Sequence, residues 1–281
     1  MSAAPRGRSG LALLAPCLAA VGLLVLLPQL LLFEASLGRR SAYGGVVHAW
    51  SLANYRRALE PLYLSIFARS LGLAAFTTAS CLLCAYPVAY WLALAAPKRW
   101  RHALVVLVVL PFWTSFLVRM YAWIFLLRSE GLVNLALGRL GLPALDLLYN
   151  DFAVWLGQLY GELPFMILPL YASLEKLDRT LLEAAADLGA GPARALWRVT
   201  LPLTRPGIVA GCLLVFIPSL GAYLAPDLLG GARTAYLGNL IQNQFAVARD
   251  VPFGSALSFL LSLLVLALLL ALRRPLGGSL R

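Results

Sequence analysis

Side chains able to do covalent chemistry are few in this 281-residue chain, and their spacing suits none of the common mechanisms. No Ser/His arrangement, aspartate pair or metal-spaced cluster accompanies its two histidines, His48 and His102, so neither hydrolytic nor metal-ion catalysis has a constellation to work from. Cys81 and Cys84 make a C-x-x-C pair, but inside an apolar run with no second Cys or His cluster nearby. With Cys17 and Cys212 they read as small hydrophobes. A phosphate-binding loop needs Gly-Lys-Ser/Thr, and the only lysines, Lys98 and Lys176, follow Pro97 and Glu175, which excludes that mode of ATP hydrolysis. One stretch does gather charge, small side chains and helix breakers in a defined order: Leu181 to Ile208, LLEAAADLGAGPARALWRVTLPLTRPGI. Its chemistry is non-covalent, that of a surface built to dock on another protein.

The elements around that stretch are set by composition. At 61% hydrophobic and 12% charged, with a mean hydropathy of +0.83, the chain is an integral membrane protein. Its apolar runs recur at about 20 residues, enough for a helix to cross a hydrocarbon core of roughly 30 Å, so the expected class is all-α and polytopic. Six spans are expected, near residues 11–33, 69–95, 103–127, 152–173, 207–224 and 253–272. The formal charge of +11 would suggest nucleic acid in a soluble protein, but the Lys and Arg sit between or beside the apolar runs, where membrane topology accounts for them.

Residues 1–10 carry Arg6 and Arg8 ahead of the first run, like the charged region of a secretion signal. The run is long for a signal core and no small-x-small site follows, so it reads as an uncleaved first span with the N-terminus in the cytoplasm. The polar, aromatic segment from Glu34 to Ile66 reads as an outer loop with a short interfacial helix, and Lys98, Arg99 and Arg101 as a cytoplasmic turn. Pro111 is a candidate kink in the third span, which carries Arg119 in its outer half, and Glu162 falls inside the fourth. Lys176, Arg179, Arg194, Arg198 and Arg205 put the central stretch on the cytoplasmic side, and Arg273, Arg274 and Arg281 put the C-terminal segment 273–281 there too.

Within the loop 178–206, Asp178 is a plausible N-cap for a short helix running to Leu188, which Gly189, Gly191 and Pro192 stop. Pro192 suits the first turn of a second short helix over Ala193–Val199; Leu201 and Pro202 end it, and Pro206 starts the fifth span. Ala184, Ala185 and Ala186 keep the first helix thin enough to seat in a groove on a partner, with Glu183 fixing its register. The plainer alternative is an ordinary loop in which alanine merely favours helix and the charges merely face water.

The order Glu183, Ala184, Ala185, three residues, Gly189, nine residues, Val199, one residue, Leu201, Pro202 resembles the EAA loop of ABC importer permeases, EAA-x3-G-x9-I-x-LP, with Val199 for Ile the one departure. LANYRRALEPLY, PFWTSFLVRMYAW, LPFMILPLYASLEKLDRTLLEAAADLGA, PLTRPGIVAGCLLVFIP and DLLGGARTAYLGNLIQNQF are similar to the permeases of spermidine/putrescine importers, most like the first of their two permease subunits. The resemblance implies a six-span type I importer fold in a bacterial inner membrane. It also implies a partner permease in a hetero-dimer, two copies of a cytoplasmic ABC ATPase that holds ATP and Mg, and an extracytoplasmic substrate-binding protein. No cofactor, metal, catalytic residue or nucleic acid is expected on this chain. The ATPase-coupling residues would be Glu183, Ala184, Ala185, Asp187, Gly189, Leu201 and Pro202.

A polyamine is an extended multiple cation, so its path should offer carboxylates and aromatic faces. Glu162 and Asp227 are the candidate acids, and Trp113, Tyr121, Trp123, Tyr160 and Tyr223 the candidate rings. Each ring has a plainer reading as an interface marker, and Asp227 as an outer-loop residue; Glu162 could also pair with Arg119. Iron, thiamine or opine importers share the EAA loop and are the alternatives for cargo. A self-sufficient secondary transporter is the alternative mechanism, which the lack of an inverted repeat disfavours.

Overall fold

The computed structural model describes residues 6–41, 45–231 and 234–277, and the chain divides into two compact units. The assigned cytoplasmic ends, 1–10 and 273–281, fall partly outside the described residues.

The first unit joins Met1–Leu64 to Ile241–Ala267. It holds helix α1 (Arg6–Ser36), a ribbon of β1 (Arg39–Arg40) and β2 (Val46–Val47), and α2 (Ala53–Ala58). The ribbon is antiparallel, with Arg39 opposite Val47. Asn54 Nδ2 donates to the carbonyls of Ser36 (2.8 Å) and Gly38 (3.0 Å), tying α2 to the end of α1. Arg57 reaches Asp250 at 2.8 Å, with its guanidinium 4.0 Å from the Phe253 ring centroid. A short helix, α2, stands in the segment where one was expected, and the apolar helix that follows starts earlier than Arg69: α3 (Pro61–Tyr90) begins at Pro61, whose missing N–H costs nothing in a first turn.

The second unit, Ser65–Leu240 with Leu268–Arg281, carries the rest of α3, which ends in a π-helical turn, Trp91–Ala95. Then come α4 (Lys98–Val109), α5 (Phe116–Leu127), α6 (Leu132–Arg139), α7 (Asp151–Glu175), α8 (Arg179–Asp187), α9 (Pro192–Ala195), α10 (Leu201–Leu203), α11 (Arg205–Gly221), α12 (Leu224–Leu229) and α13 (Leu237–Ala246). The last helix, α14 (Val251–Gly277), belongs to the first unit as far as Ala267, as does α13 from Ile241 on.

The third expected span is broken. Leu110–Trp113 tightens into a 3-10 turn with Pro111 near its start, Thr114 and Ser115 are extended, and the chain turns by 87° before continuing from Phe116. The kink expected at Pro111 is thus a break, since proline supplies no N–H to the ladder and the next residues leave helical geometry. By length and composition, Leu14–Ser36, Pro61–Ala95 and Val251–Ala271 can each cross a membrane, and up to five crossings result if each bent pair counts as one. The 25-residue α7 is long enough at about 1.5 Å per residue, but Gln158 and Glu162 lower its hydropathy. This helix is a central packing element of the unit.

One face of α7 meets α3 and α11 in a core of Cys81, Ala85, Ala89, Met166, Leu170, Leu174 and Val215. Nearer its start it meets α5 and α12 through Met120, Val154, Ala225 and Leu229. Close approach of α7 and α11 needs Gly207, where an added Cβ would lie 2.5 Å from Ser173 Cβ and 2.8 Å from the Pro169 carbonyl. The four cysteines are free: Cys81 is buried and Cys212 half-buried, in keeping with a packing role, whereas Cys17 and Cys84 are exposed.

Candidate functional site

The loop 178–206 is a helical hairpin whose two ends are tied to α3. Asp178 caps α8 by accepting from the Thr180 N–H at 3.0 Å. At the other end of α8, Gly189 takes φ +77° and the chain closes with two bonds, Ala190 N–H to the Ala185 carbonyl and Gly189 N–H to the Ala186 carbonyl, both 2.9 Å. This is the Schellman arrangement that satisfies the last carbonyls of a helix. Arg179 donates to the carbonyls of Leu94 (3.0 Å) and Ala93 (3.4 Å), groups left free where the π turn ends α3. Thr204, after the hairpin, is buried with its hydroxyl 3.2 Å from the Tyr86 hydroxyl of α3.

The second helix of the loop does not stop at Leu201 and Pro202. Helix runs from Pro192 to Leu203 through a π turn at Leu196–Thr200, and a bend of 70° separates it from α11. Leu201 N–H bonds the Leu196 carbonyl, five residues back, and this widened turn admits Pro202, which has no N–H to give. Leu201 is half-buried, packed against the core of α3, α7 and α11.

Leu181, Ala184, Ala185 and Leu188, at the spacing of one helical stripe, face Arg198, Val199, Pro202 and Leu203 across an open cleft of about 410 Å³. The small residues Ala184 and Ala185 therefore line a cleft within the hairpin, which narrows the expectation that all three alanines thin α8 for a partner. Glu183, Ala186 and Asp187 are exposed, and neither acid has a hydrogen-bond or ion-pair partner among the described residues. Leu188 is 89% exposed and Trp197 72%. These apolar side chains lie on helices anchored to α3, an arrangement able to receive a partner and pass its movement inward.

The candidate path residues divide. Glu162 on α7 has a buried Oε2 without a hydrogen-bond partner, and Gln158, one turn earlier on the same face, has a buried Nε2 in the same condition. Tyr160 meets Trp123 edge-on at 5.7 Å between ring centroids. The structure thus sets Tyr160, still 38% exposed, against Trp123, while Glu162, about 200° around α7 from Tyr160, is half-buried. Tyr121, about 200° around α5 from Trp123, is exposed on the other face; Trp113 is 83% exposed, and Tyr223 and Asp227 are exposed around the start of α12. None of these four joins the group.

Arg119 does not pair with Glu162. The ion pairs among the described residues are His48–Glu34, Arg57–Asp250 and Arg69–Asp151. Its guanidinium lies over Phe112 (4.9 Å), Phe116 (5.4 Å) and Tyr160 (5.9 Å). Sequence reasoning passed over Phe112 and Phe116, although their i, i+4 spacing just ahead of Arg119 was visible. It also passed over Gln158, four residues before Glu162.

The family model of the binding-protein-dependent transport system inner membrane component matches residues 85–274. The chain is 43% identical over 251 residues to the spermidine/putrescine transport system permease protein PotB of Salmonella typhimurium (strain LT2), covering 88% of this chain and 87% of that one. It is 42% identical to PotB of Escherichia coli (strain K12), covering 88% and 90%. Among solved structures, a bacterial ABC transporter involved in the import of the acidic polysaccharide alginate superposes with a TM-score of 0.73 at 16% identity, covering 98% of this chain and 97% of that chain. The MetNI methionine ABC transporter, in inward-facing conformations, gives 0.57 at 18% identity over 79% and 99%. With an ABC importer permease fold and a family match over most of its length, the chain belongs to the binding-protein-dependent transport system inner membrane components.

Proposed function

We propose that this chain is a permease subunit of an ATP-driven importer of polyamines, with spermidine and putrescine as the substrate class. It forms the path with a second, different permease. Two copies of a cytoplasmic ABC ATPase, which hold ATP and Mg, dock on the hairpin 178–206, and an extracytoplasmic binding protein delivers cargo. The chain crosses the inner membrane six times, with α7 as the fourth crossing and both termini in the cytoplasm. This chain has no catalytic role.

The observation that carries the cargo reading is the state of Glu162. The carboxylates of Asp151 and Asp250 are already neutralised, at 2.6 and 2.8 Å from Arg69 and Arg57, whereas Glu162 holds a buried oxygen with no hydrogen bond or direct ion pair and has Arg119 only within electrostatic reach. A carboxyl group without a direct partner inside a membrane protein suits a visiting cation. The identity to PotB proteins along nearly the whole chain supports the same class.

Coupling follows from the ties at both ends of the hairpin. ATPase closure displaces α8, and Arg179 and Thr204 carry the displacement to α3 as rigid-body motion. The test is ligand-stimulated ATP hydrolysis by the reconstituted complex, with its binding protein loaded in turn with spermidine, putrescine, iron, thiamine or an opine. Stimulation by the polyamines alone is the expected result; stimulation by one of the others in their place overturns the cargo reading.

A further inference from the structure

Three arginines sit over aromatic rings contributed by other elements, and two of them also hold an acid. Arg57 lies over Phe253 and binds Asp250 at 2.8 Å; Arg69 lies over Tyr236 and binds Asp151 at 2.6 Å. Arg119 has the rings but no direct ion pair, Glu162 acting on it only through space. Its box draws on three elements: Phe112 from the 3-10 turn, Phe116 from α5 and Tyr160 from α7. Two further rings brace it, Phe165 against Phe112 at 4.9 Å and Trp123 against Tyr160 at 5.7 Å. Inside the box, Nε and Nη1 of Arg119 are buried and make no hydrogen bond. A guanidinium ordinarily satisfies its donors, so what holds this one is the rings' negative faces.

Glu162, about 200° around α7 from Tyr160, keeps a buried oxygen with no hydrogen bond; Arg119 makes no ion pair with it but stands within reach of its charge. A cation-binding box filled by the protein's own cation, and a carboxylate without a direct partner, thus lie within electrostatic reach of each other.

Resting on the polyamine reading above, we propose that Arg119 is a tethered stand-in for a substrate ammonium group. It fills the box of Phe112, Phe116 and Tyr160 and competes there with incoming cations. A polyamine holds several charges on one chain, so an ammonium group engaged by Glu162 raises the effective concentration of the next one at the box, and Arg119 yields. A monovalent amine or guanidinium has no second charge to hold it and is turned away. Arg119 thus acts as a specificity-determining residue that favours polycations over monocations.

The experiment uses the assembled importer in nanodiscs, as wild type, Arg119→Ala, Arg119→Met and Arg119→Lys. Each is titrated with ethylguanidinium alone while tryptophan fluorescence is followed, Trp123→Phe serving to assign the signal. ATP-driven spermidine uptake is measured separately. In wild type and Arg119→Lys the millimolar titration should leave fluorescence unchanged. In Arg119→Ala the emptied box should bind ethylguanidinium about tenfold more tightly than wild type, on the scale of a desolvated cation–π contact. Ethylguanidinium should then inhibit that variant's spermidine uptake. If Arg119→Ala fails to assemble, Arg119→Met, which keeps the bulk and drops the charge, should bind the probe less tightly than Ala but detectably above wild type. Equal titrations of wild type and an assembled neutral variant overturn the proposal, as does binding to wild type as tight as to the variant. Failure of the polyamine reading appears elsewhere, as absence of spermidine uptake by the wild-type complex, because the fluorescence titration needs no transported substrate.

Discussion

Gly189 is the position at which the coupling hairpin can be perturbed with the least collateral damage. Its φ of +77° lies in the left-handed region, and a Cβ added there meets nothing within 4 Å. The effect of a substitution is therefore backbone strain alone. For an ordinary L-residue that strain is about 1–2 kcal/mol, and relaxing it gives up the two bonds that close α8, at about 0.5–1.5 kcal/mol each. A loss of about 1–2 kcal/mol corresponds to roughly a 5- to 30-fold fall in the closed hairpin population. Asparagine tolerates the left-handed region, alanine less so, and a β-branched valine least. Spermidine-stimulated ATP hydrolysis and co-purification of the ATPase should accordingly fall in the order Gly189, Gly189→Asn, Gly189→Ala, Gly189→Val, while membrane insertion and the melting temperature of the permease stay near wild type. If Gly189→Val matches wild type in both readouts, the closed turn has no part in coupling and the reasoning fails.

Leu188, 89% exposed, supports no fold, so Leu188→Ser should change permease stability by less than about 0.5 kcal/mol. A pull-down should show ATPase affinity lowered about tenfold or more, the scale of unburying a leucine at an interface. Gly207→Val, by contrast, drives a side chain into Ser173 and Pro169 and should lower the melting temperature in detergent by an amount matching about 1–3 kcal/mol or more; Gly221→Ala, with open space around it, is the control. Asp250 is the N-cap of α14, accepting from the Phe253 N–H at 3.3 Å, and the partner of Arg57, so Asp250→Ala should cost about 1–2 kcal/mol by thermal unfolding. Asp250→Asn, which keeps the cap, should recover part of that loss.

Local chemistry in the loop was legible because its signals are local. Asp178 as a cap, Gly189 as a stop and Pro192 as a start each act within one turn, and all three stand where their residue types place them. Pro202 misled for a physical reason: a proline ends a helix unless the preceding turn widens, and the π turn at Leu196–Thr200 depends on Leu201 packing into a core formed by distant helices. The same holds at Pro111, where a kink could be anticipated but an 87° break could not, since its size is set by what α4 and α5 pack against. Glu162 was found by its type alone. The grouping of Tyr160 with Trp123 and the separation of Tyr121 follow from the 100° step of a helix, and Tyr121 could have been set aside on that ground. Which acids would be neutralised was beyond reach, because Arg57 meets Asp250 and Arg69 meets Asp151 across long sequence separations.

In the proposed division of labour an anchored hairpin receives force and α7 carries a carboxyl group without a direct partner into the packed region. Both belong to one machine only if nucleotide hydrolysis on a partner moves a polycation along this chain. Uptake of labelled spermidine into proteoliposomes, with the permease pair reconstituted with and without the ATPase and with ATP supplied on the ATPase side, measures that link directly. The expected result is uptake that needs the ATPase, ATP and the binding protein together. Spermidine uptake by the permeases alone under an ion gradient would contradict it.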